Sequence, residues 1–242
     1  MIHFLVGIDF NENYNRSKEI QRLIESYKEV DYSFDNKLVF SCPENVEIPI
    51  DIPYDIKYFK TGSIDIHSKY INIFRSIVDY FQYCEEDDII VWCEPDMLFL
   101  QNDVNIASDK ISLLMRHKTE IEVKGLMNIN KLQNMFKDIK LDYYTALSGT
   151  IIPVKYEDDF TNLLSLEISV LTKYKNTFIK AIGYDFSIEE ILLNKLITED
   201  KVISNPYILY YGEDEEMPLI TDKMFLCHYY NEKQYEEMKC IK

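Results

Sequence analysis

Two carboxylates stand one residue apart inside an otherwise apolar run: Ile89-Ile90-Val91-Trp92-Cys93 leads into Glu94-Pro95-Asp96, and Met97-Leu98-Phe99-Leu100 continues beyond. Acidic side chains at that spacing, stiffened by a proline where a buried strand exits, can hold a divalent cation through oxygen ligands, and the cation can screen a diphosphate. The bland alternative is a strand end where the chain returns to solvent, although apolar residues on both sides set the pair inside structure. His228, within Met224-Phe225-Leu226-Cys227-His228-Tyr229-Tyr230, is of a type that suits the same ion. A neutral imidazole adds readily to a Mn2+-type ion held by carboxylates, whereas an isolated strand-end histidine is more often satisfied by a backbone carbonyl. The two features form one site only if the fold joins them.

A second acidic stretch runs Gly183-Tyr184-Asp185-Phe186-Ser187-Ile188-Glu189-Glu190-Ile191-Leu192-Leu193-Asn194. Ser187 with Glu190 at the third following position is a capping box, which accounts for Glu190 as well as catalysis does. Asp185 and Glu189 lack that explanation. On a pre-helix loop or first turn facing a cleft, they suit a general base toward a hydroxyl, or a counter-charge for a sugar cation. Ser148-Gly149, ahead of Thr150-Ile151-Ile152-Pro153-Val154, is a small pair that admits a ligand close to the backbone or simply makes a tight turn.

The elements that must position these residues follow from periodicity. Residues 1–9 read as a buried first strand with a polar exit loop. Ile20, Leu23, Ile24 and Tyr27 trace one stripe of a helix over 16–30, and 37–42 reads as a second strand. Pro43, Pro49 and Pro53 exclude a helix or central strand over 43–62 and leave irregular or edge structure. Tyr70, Ile73, Phe74, Ile77 and Phe81 mark a helix before the strand 89–93. Further on, the pattern predicts strands at 110–116, 143–154 and 223–230, and helices at 128–139, 157–174 and 187–199. This alternation, with no repeat and no linker, describes one α/β domain over 1–242 with a largely parallel sheet.

Composition narrows the function. With 42 acidic against 26 basic residues the net charge is −16, which disfavours nucleic acid and anionic membranes as partners. No apolar run approaches the roughly 18 residues that span a bilayer, and the opening residues lack a secretory pattern, so a cytoplasmic protein is expected. The five cysteines are scattered without a C-x-x-C, which points to buried free thiols rather than a disulfide framework or a thiolate zinc motif. Six glycines form neither a dinucleotide fingerprint nor a P-loop.

In order, these features resemble the GT-A fold of nucleotide-sugar glycosyltransferases, especially its glycogenin-like and galactosyltransferase-like retaining group. The resemblance covers most of the chain in order of elements and is specific at short segments. It implies a single GT-A-like, Rossmann-like domain with a mixed, largely parallel central sheet flanked by helices. Glu94-Pro95-Asp96 stands where that group has D-x-D, and His228 stands where it has the third ligand, so that Mn2+ or Mg2+ would be the cofactor. Glu190 falls where the group has glutamine, leaving retention or inversion open, and Glu94 replaces the usual first aspartate. By the same analogy Asp9, with Tyr14, lies near base and ribose, Ser148-Gly149 faces donor and acceptor, and Lys69 and Arg75 meet phosphate unless they are helix-surface charges. The implied activity is hexosyl transfer from a nucleoside-diphosphate sugar, a UDP-sugar first, to a glycan, protein or small-molecule hydroxyl, with Asp185, Glu189 or Glu190 catalytic. The alternatives are an inactive sugar- or nucleotide-binding module and a nucleotidyltransferase.

Overall fold

A computed structural model of the chain describes residues 1–8, 16–44, 53, 56–61, 73–100, 106, 109–117, 136–182, 188–210 and 219–240. The expectations for Asp9, Tyr14, Lys69, Asp185, Ser187 and the start of the 128–139 helix lie outside these residues.

Seven strands form the main sheet: β1 (Ile2–Gly7), β2 (Asn36–Pro43), β3 (Lys57–Thr61), β4 (Ile89–Cys93), β6 (Ile111–His117), β7 (Tyr143–Pro153) and β8 (Val202–Ser204). Their order is β3-β2-β1-β4-β7-β6-β8. β3, β2, β1 and β4 run parallel, β7 is antiparallel to β4 and β6, and β8 is parallel to β6, so the sheet is mixed but largely parallel. The proline-rich stretch supplies the edge strand β3, the position that tolerates its neighbours' missing N–H groups.

Both faces of this sheet are covered, and the strands alternate between two cores as a period of two requires. Phe4, Val6, Leu38, Phe40, Val91 and Cys93 face one core, which they share with Ile20, Leu23 and Ile24 of α1 (Ser17–Glu29). Leu5, Val39, Ile90 and Trp92 face the other. There they meet Phe74, Ile77 and Phe81 of α2 (Ile73–Phe81) and Phe160, Leu163 and Leu164 of α3 (Glu157–Ile182). Phe160 stands edge-on to Phe74 with centroids 5.7 Å apart, which seats α3 on α2.

The helix expected over 187–199 is two short ones, α4 (Ile188–Leu192) and α5 (Asn194–Thr198). The buried Asn194 amide explains the join: it donates to Tyr143 O at 2.8 Å and Ile191 O at 3.2 Å, and its Oδ1 accepts from Tyr143 N at 3.1 Å. The α4–α5 junction is thereby pinned to the start of β7.

A second sheet of three strands, β5 (Met97–Phe99), β10 (Leu226–His228) and β9 (Ile208–Tyr210), lies in the order β5-β10-β9. The sequence pattern marks 97–100 only as a continued apolar run and gives no sign of β8 (Val202–Ser204), β9 or the terminal α6 (Glu232–Lys239). Each is short, three residues in the case of the strands, and a three-residue strand carries too few alternations to register as a pattern.

Candidate functional site

β4 ends at Cys93, and Pro95-Asp96 turns the chain into β5. The turn is fixed from inside, where Glu94 N–H points at the Met97 sulfur at 3.3 Å, and from outside, where Asp96 O accepts from Tyr229 N–H at 3.1 Å. β10 is antiparallel to β5 in the register His228↔Met97, Cys227↔Leu98 and Leu226↔Phe99. That register carries His228 across more than half the chain to the acid pair. Its Nε2 lies 3.2 Å from Glu94 Oε2 and 3.5 Å from Asp96 Oδ1. Glu94, Asp96 and His228 offer ligand atoms that all lie within 4.8 Å of one another.

The trio sits at the carboxyl ends of the parallel strands, where open α/β sheets bind ligands. His228 is nearly inaccessible, its side chain 4% exposed, while Glu94 and Asp96 retain 31% and 19%. The imidazole thus forms the floor and the carboxylates form the opening. The Tyr230 ring stands edge-on to His228 at 4.8 Å and braces it. Arg16, where the chain enters α1, points Nη1 at Asp96 Oδ2 across 3.4 Å.

Burial works against a charged Glu94, but hydrogen bonds from His228 and the Ser148 hydroxyl, with the positive charge of His228 and Arg16, hold its carboxyl below the ordinary value. Asp96 goes the other way: burial and the neighbouring Glu94 charge raise it despite His228 and Arg16. Burial opposes protonation of His228, yet the two carboxylates outweigh it and raise its pKa. Two carboxylates and one imidazole in contact are a mixed O,O,N donor set of the kind that suits Mn2+ or Mg2+. Asp96 Oδ1, buried and without a hydrogen bond, is the kind of atom that such an ion satisfies.

Ser148, expected near the donor, is brought to Glu94 by a break in β7. The strand keeps register with β6 at Ser112↔Ile151 and again at Leu114↔Ala146, and the extra β7 residues between those pairs form a bulge containing Ser148 and Gly149. Pairing of β7 with β4 covers only Ile89 to Val91, so the bulge opens where β4 runs out. Gly149 has a conformational and packing role. Its φ is +73°, its O accepts from Asn205 Nδ2 at 2.9 Å, and a Cβ there would stand 2.2 Å from Ile208 Cδ1. The missing side chain makes room for β9.

The acidic helix is placed beside β7, since Thr145 Oγ1 donates to Glu190 O at 2.7 Å. Glu190 is half-buried. Glu189 is buried and turned toward α2, where its Oε1 accepts from Ile73 N at 3.3 Å and satisfies one of the donors that a helix leaves open at its amino end. Arg75 lies on α2 and pairs with Asp79 one turn later at 2.8 Å, the helix-surface arrangement that was the alternative to phosphate contact. Arg16 is the residue that sequence reasoning missed. The signal available was a cation closing the polar loop that follows the first strand, at the same carboxyl-end edge as the acid pair.

No family model matches the sequence, and no curated protein is significantly similar to it. The chain does match solved structures over nearly its whole length, glycosyltransferases among them. The apo structure of the bifunctional glycosyltransferase WbbM aligns at a TM-score of 0.55 and 14% identity, covering 96% of this chain and 46% of that one. The galactosyltransferase LgtC, solved in complex with donor and acceptor sugar analogues, aligns at 0.56 and 11%, covering 96% and 88%. A Gln-to-Glu active-site mutant of LgtC aligns at 0.55 with the same identity and coverage. At these identities the likeness is one of fold: the chain has a GT-A-like glycosyltransferase fold and spans less than half the length of WbbM.

Proposed function

We propose that this chain, acting as a single domain over 1–242, is a metal-dependent glycosyltransferase that moves a hexose from a nucleoside-diphosphate sugar to a hydroxyl acceptor. The convergence of Glu94, Asp96 and His228 at the carboxyl ends of the strands, in a fold shared with glycosyltransferases, carries the reading. The three side chains would hold Mn2+ or Mg2+, Glu94 directly or through water. When bound, such an ion neutralises the departing diphosphate. Ser148 orients Glu94 from below by hydrogen bonding, and Arg16 offers a further positive charge at the same opening.

The remaining donor contacts fall to Asp9, Lys69 and Gly149, with Arg75 available only if it leaves Asp79. Acceptor activation, or stabilisation of the oxocarbenium-like charge, falls to Asp185, Glu189 or Glu190. Glu190 is favoured over Glu189, whose carboxylate already serves α2. Positioning and electrostatics then supply most of the rate. A UDP-sugar is the first donor to try, with a glycan, protein or small molecule as acceptor, and the cytoplasm is the proposed location. Among the described residues no helix is long and apolar enough to cross a membrane.

Thermal unfolding against UDP-, GDP-, CMP- and TDP-sugars, each with and without Mn2+, tests the reading. The expected result is a rise in Tm that needs both the ion and one nucleotide, and that disappears in Asp96→Ala. If no nucleotide sugar shifts the transition with any divalent ion, the transferase assignment fails and a binding module takes its place.

A further inference from the structure

Arg16 stands at the edge of the acid pair, and a metal held by Glu94, Asp96 and His228 does not account for it. Its backbone is fixed: it is the residue before α1, and its carbonyl accepts a helical bond from Ile20 N–H at 3.0 Å. α1 is tied in turn to the strand that follows the acid pair, since Ser26 Oγ accepts from Phe99 N–H at 3.0 Å, and to α6 through the pair Arg22–Glu232. The Arg16 side chain on this rigid mounting is 27% exposed and has room to turn. The two oxygens of Asp96 divide between its neighbours. Oδ1 faces His228 Nε2 at 3.5 Å and makes no hydrogen bond, while Oδ2 faces Arg16 Nη1 at 3.4 Å. An arginine settled on a carboxylate makes contacts of about 2.7–2.9 Å, so Arg16 is held near Asp96 without being locked to it.

We propose that Arg16 is a shared cation, paired with Asp96 before the divalent ion arrives and transferred to the diphosphate of the donor once the ion is bound. The inference rests on the transferase reading of the site and adds to it a coupling between the two ligands. Its basis is charge balance. Two ionised carboxylates outweigh the one guanidinium beside them, so Arg16 has an anionic partner in Asp96. A divalent ion held by the same carboxylates reverses the balance, and the surplus positive charge then rests on a side chain that reaches solvent. A diphosphate is the anion that such a surplus suits, because the planar guanidinium fork matches phosphate oxygens. Two effects of opposite sign result. Arg16 competes with the bare ion for Asp96 and weakens its binding, whereas in the loaded site it strengthens binding of the diphosphate. Since couplings between bound ligands are reciprocal, Arg16 enlarges the factor by which each ligand improves the affinity of the other. A residue that only braced Asp96 would favour both ligands.

The two ligands are therefore measured apart, on the whole chain. Mn2+ binding is followed by loss of the free-ion electron paramagnetic resonance signal, and binding of UDP, GDP, CDP and TDP by calorimetry at saturating Mn2+. In Arg16→Gln the expected result is Mn2+ bound about fivefold more tightly, and the diphosphate that the wild-type chain prefers bound roughly tenfold more weakly. Arg16→Lys keeps the charge and loses the fork, so it should return Mn2+ affinity to within about twofold of wild type and recover only part of the diphosphate affinity. Unchanged or weaker Mn2+ binding in Arg16→Gln, or undiminished diphosphate binding, overturns the proposal and leaves Arg16 a brace for Asp96 or a surface charge. A wild-type chain that binds no Mn2+, or none of the four diphosphates with it, gives a different result: the transferase reading itself fails, and the shared cation falls with it.

Discussion

In the proposed site His228 would serve by being inaccessible. A ring buried under two carboxylates and braced by Tyr230 has one orientation to offer, so Nε2 is aimed before any ligand arrives. The acid pair was legible in the sequence because it breaks an apolar run. Its partnership with His228 was legible only through resemblance, because local pattern carries no information about a contact between residues 94 and 228. Gly149 illustrates the opposite case, a residue with a packing role that the sequence could not show. At φ +73° with Ile208 against its Cα, Gly149→Ala is expected to cost roughly 1–3 kcal/mol in chemical denaturation, from backbone strain and overpacking together. A cost near zero would mean that β9 moves aside freely.

At the scale of elements, the long periodic segments were readable and the short ones were not. β1, β2, β4 and β7 are legible in the apolar pattern, and the edge strand β3 falls in the stretch whose prolines leave irregular or edge structure. α6 is polar on most of its surface and gave no stripe to read. Its beginning is nonetheless well made: Asn231 Oδ1 accepts from Gln234 N at 3.0 Å, and Gln234 Oε1 accepts from Tyr230 N at 2.7 Å. Arg22 of α1 lies against the Tyr235 ring at 3.5 Å and pairs with Glu232, so α6 is clamped to α1. This cap fixes the chain directly after His228. Asn231→Ala should therefore lower stability by about 1 kcal/mol and also weaken Mn2+ binding measured by calorimetry. Lost stability with unaltered Mn2+ affinity would show that α6 holds the fold and not the ligand.

For the molecule as a whole, the charge of −16 creates a field that attracts a divalent cation and repels the diphosphate it is proposed to serve. The two partners should therefore respond to salt in opposite senses. Raising ionic strength from about 0.01 M to 0.15 M shortens the Debye length from roughly 30 Å to 8 Å. Mn2+ affinity alone should fall over that range, while the association rate of free nucleoside diphosphate, followed by stopped flow, should rise. A diphosphate rate that falls with salt would reveal a locally basic approach that the overall charge conceals. Net charge was available from composition, but its relation to the site was not, since it depends on Arg16 standing beside Asp96.

The register His228↔Met97 also sets an order of events. Every strand of the large sheet precedes residue 226 in the chain, and the acid pair belongs to the turn after β4, so the sheet and two of the three ligand groups are made before β10 exists. Until that strand docks, Glu94 and Asp96 have each other, Ser148 and Arg16 but no imidazole. A slip of one residue in its pairing would turn His228 to the opposite face. On the proposed reading, tight divalent binding would be acquired last during synthesis, and its appearance would mark the moment at which the small sheet has closed in the correct alignment.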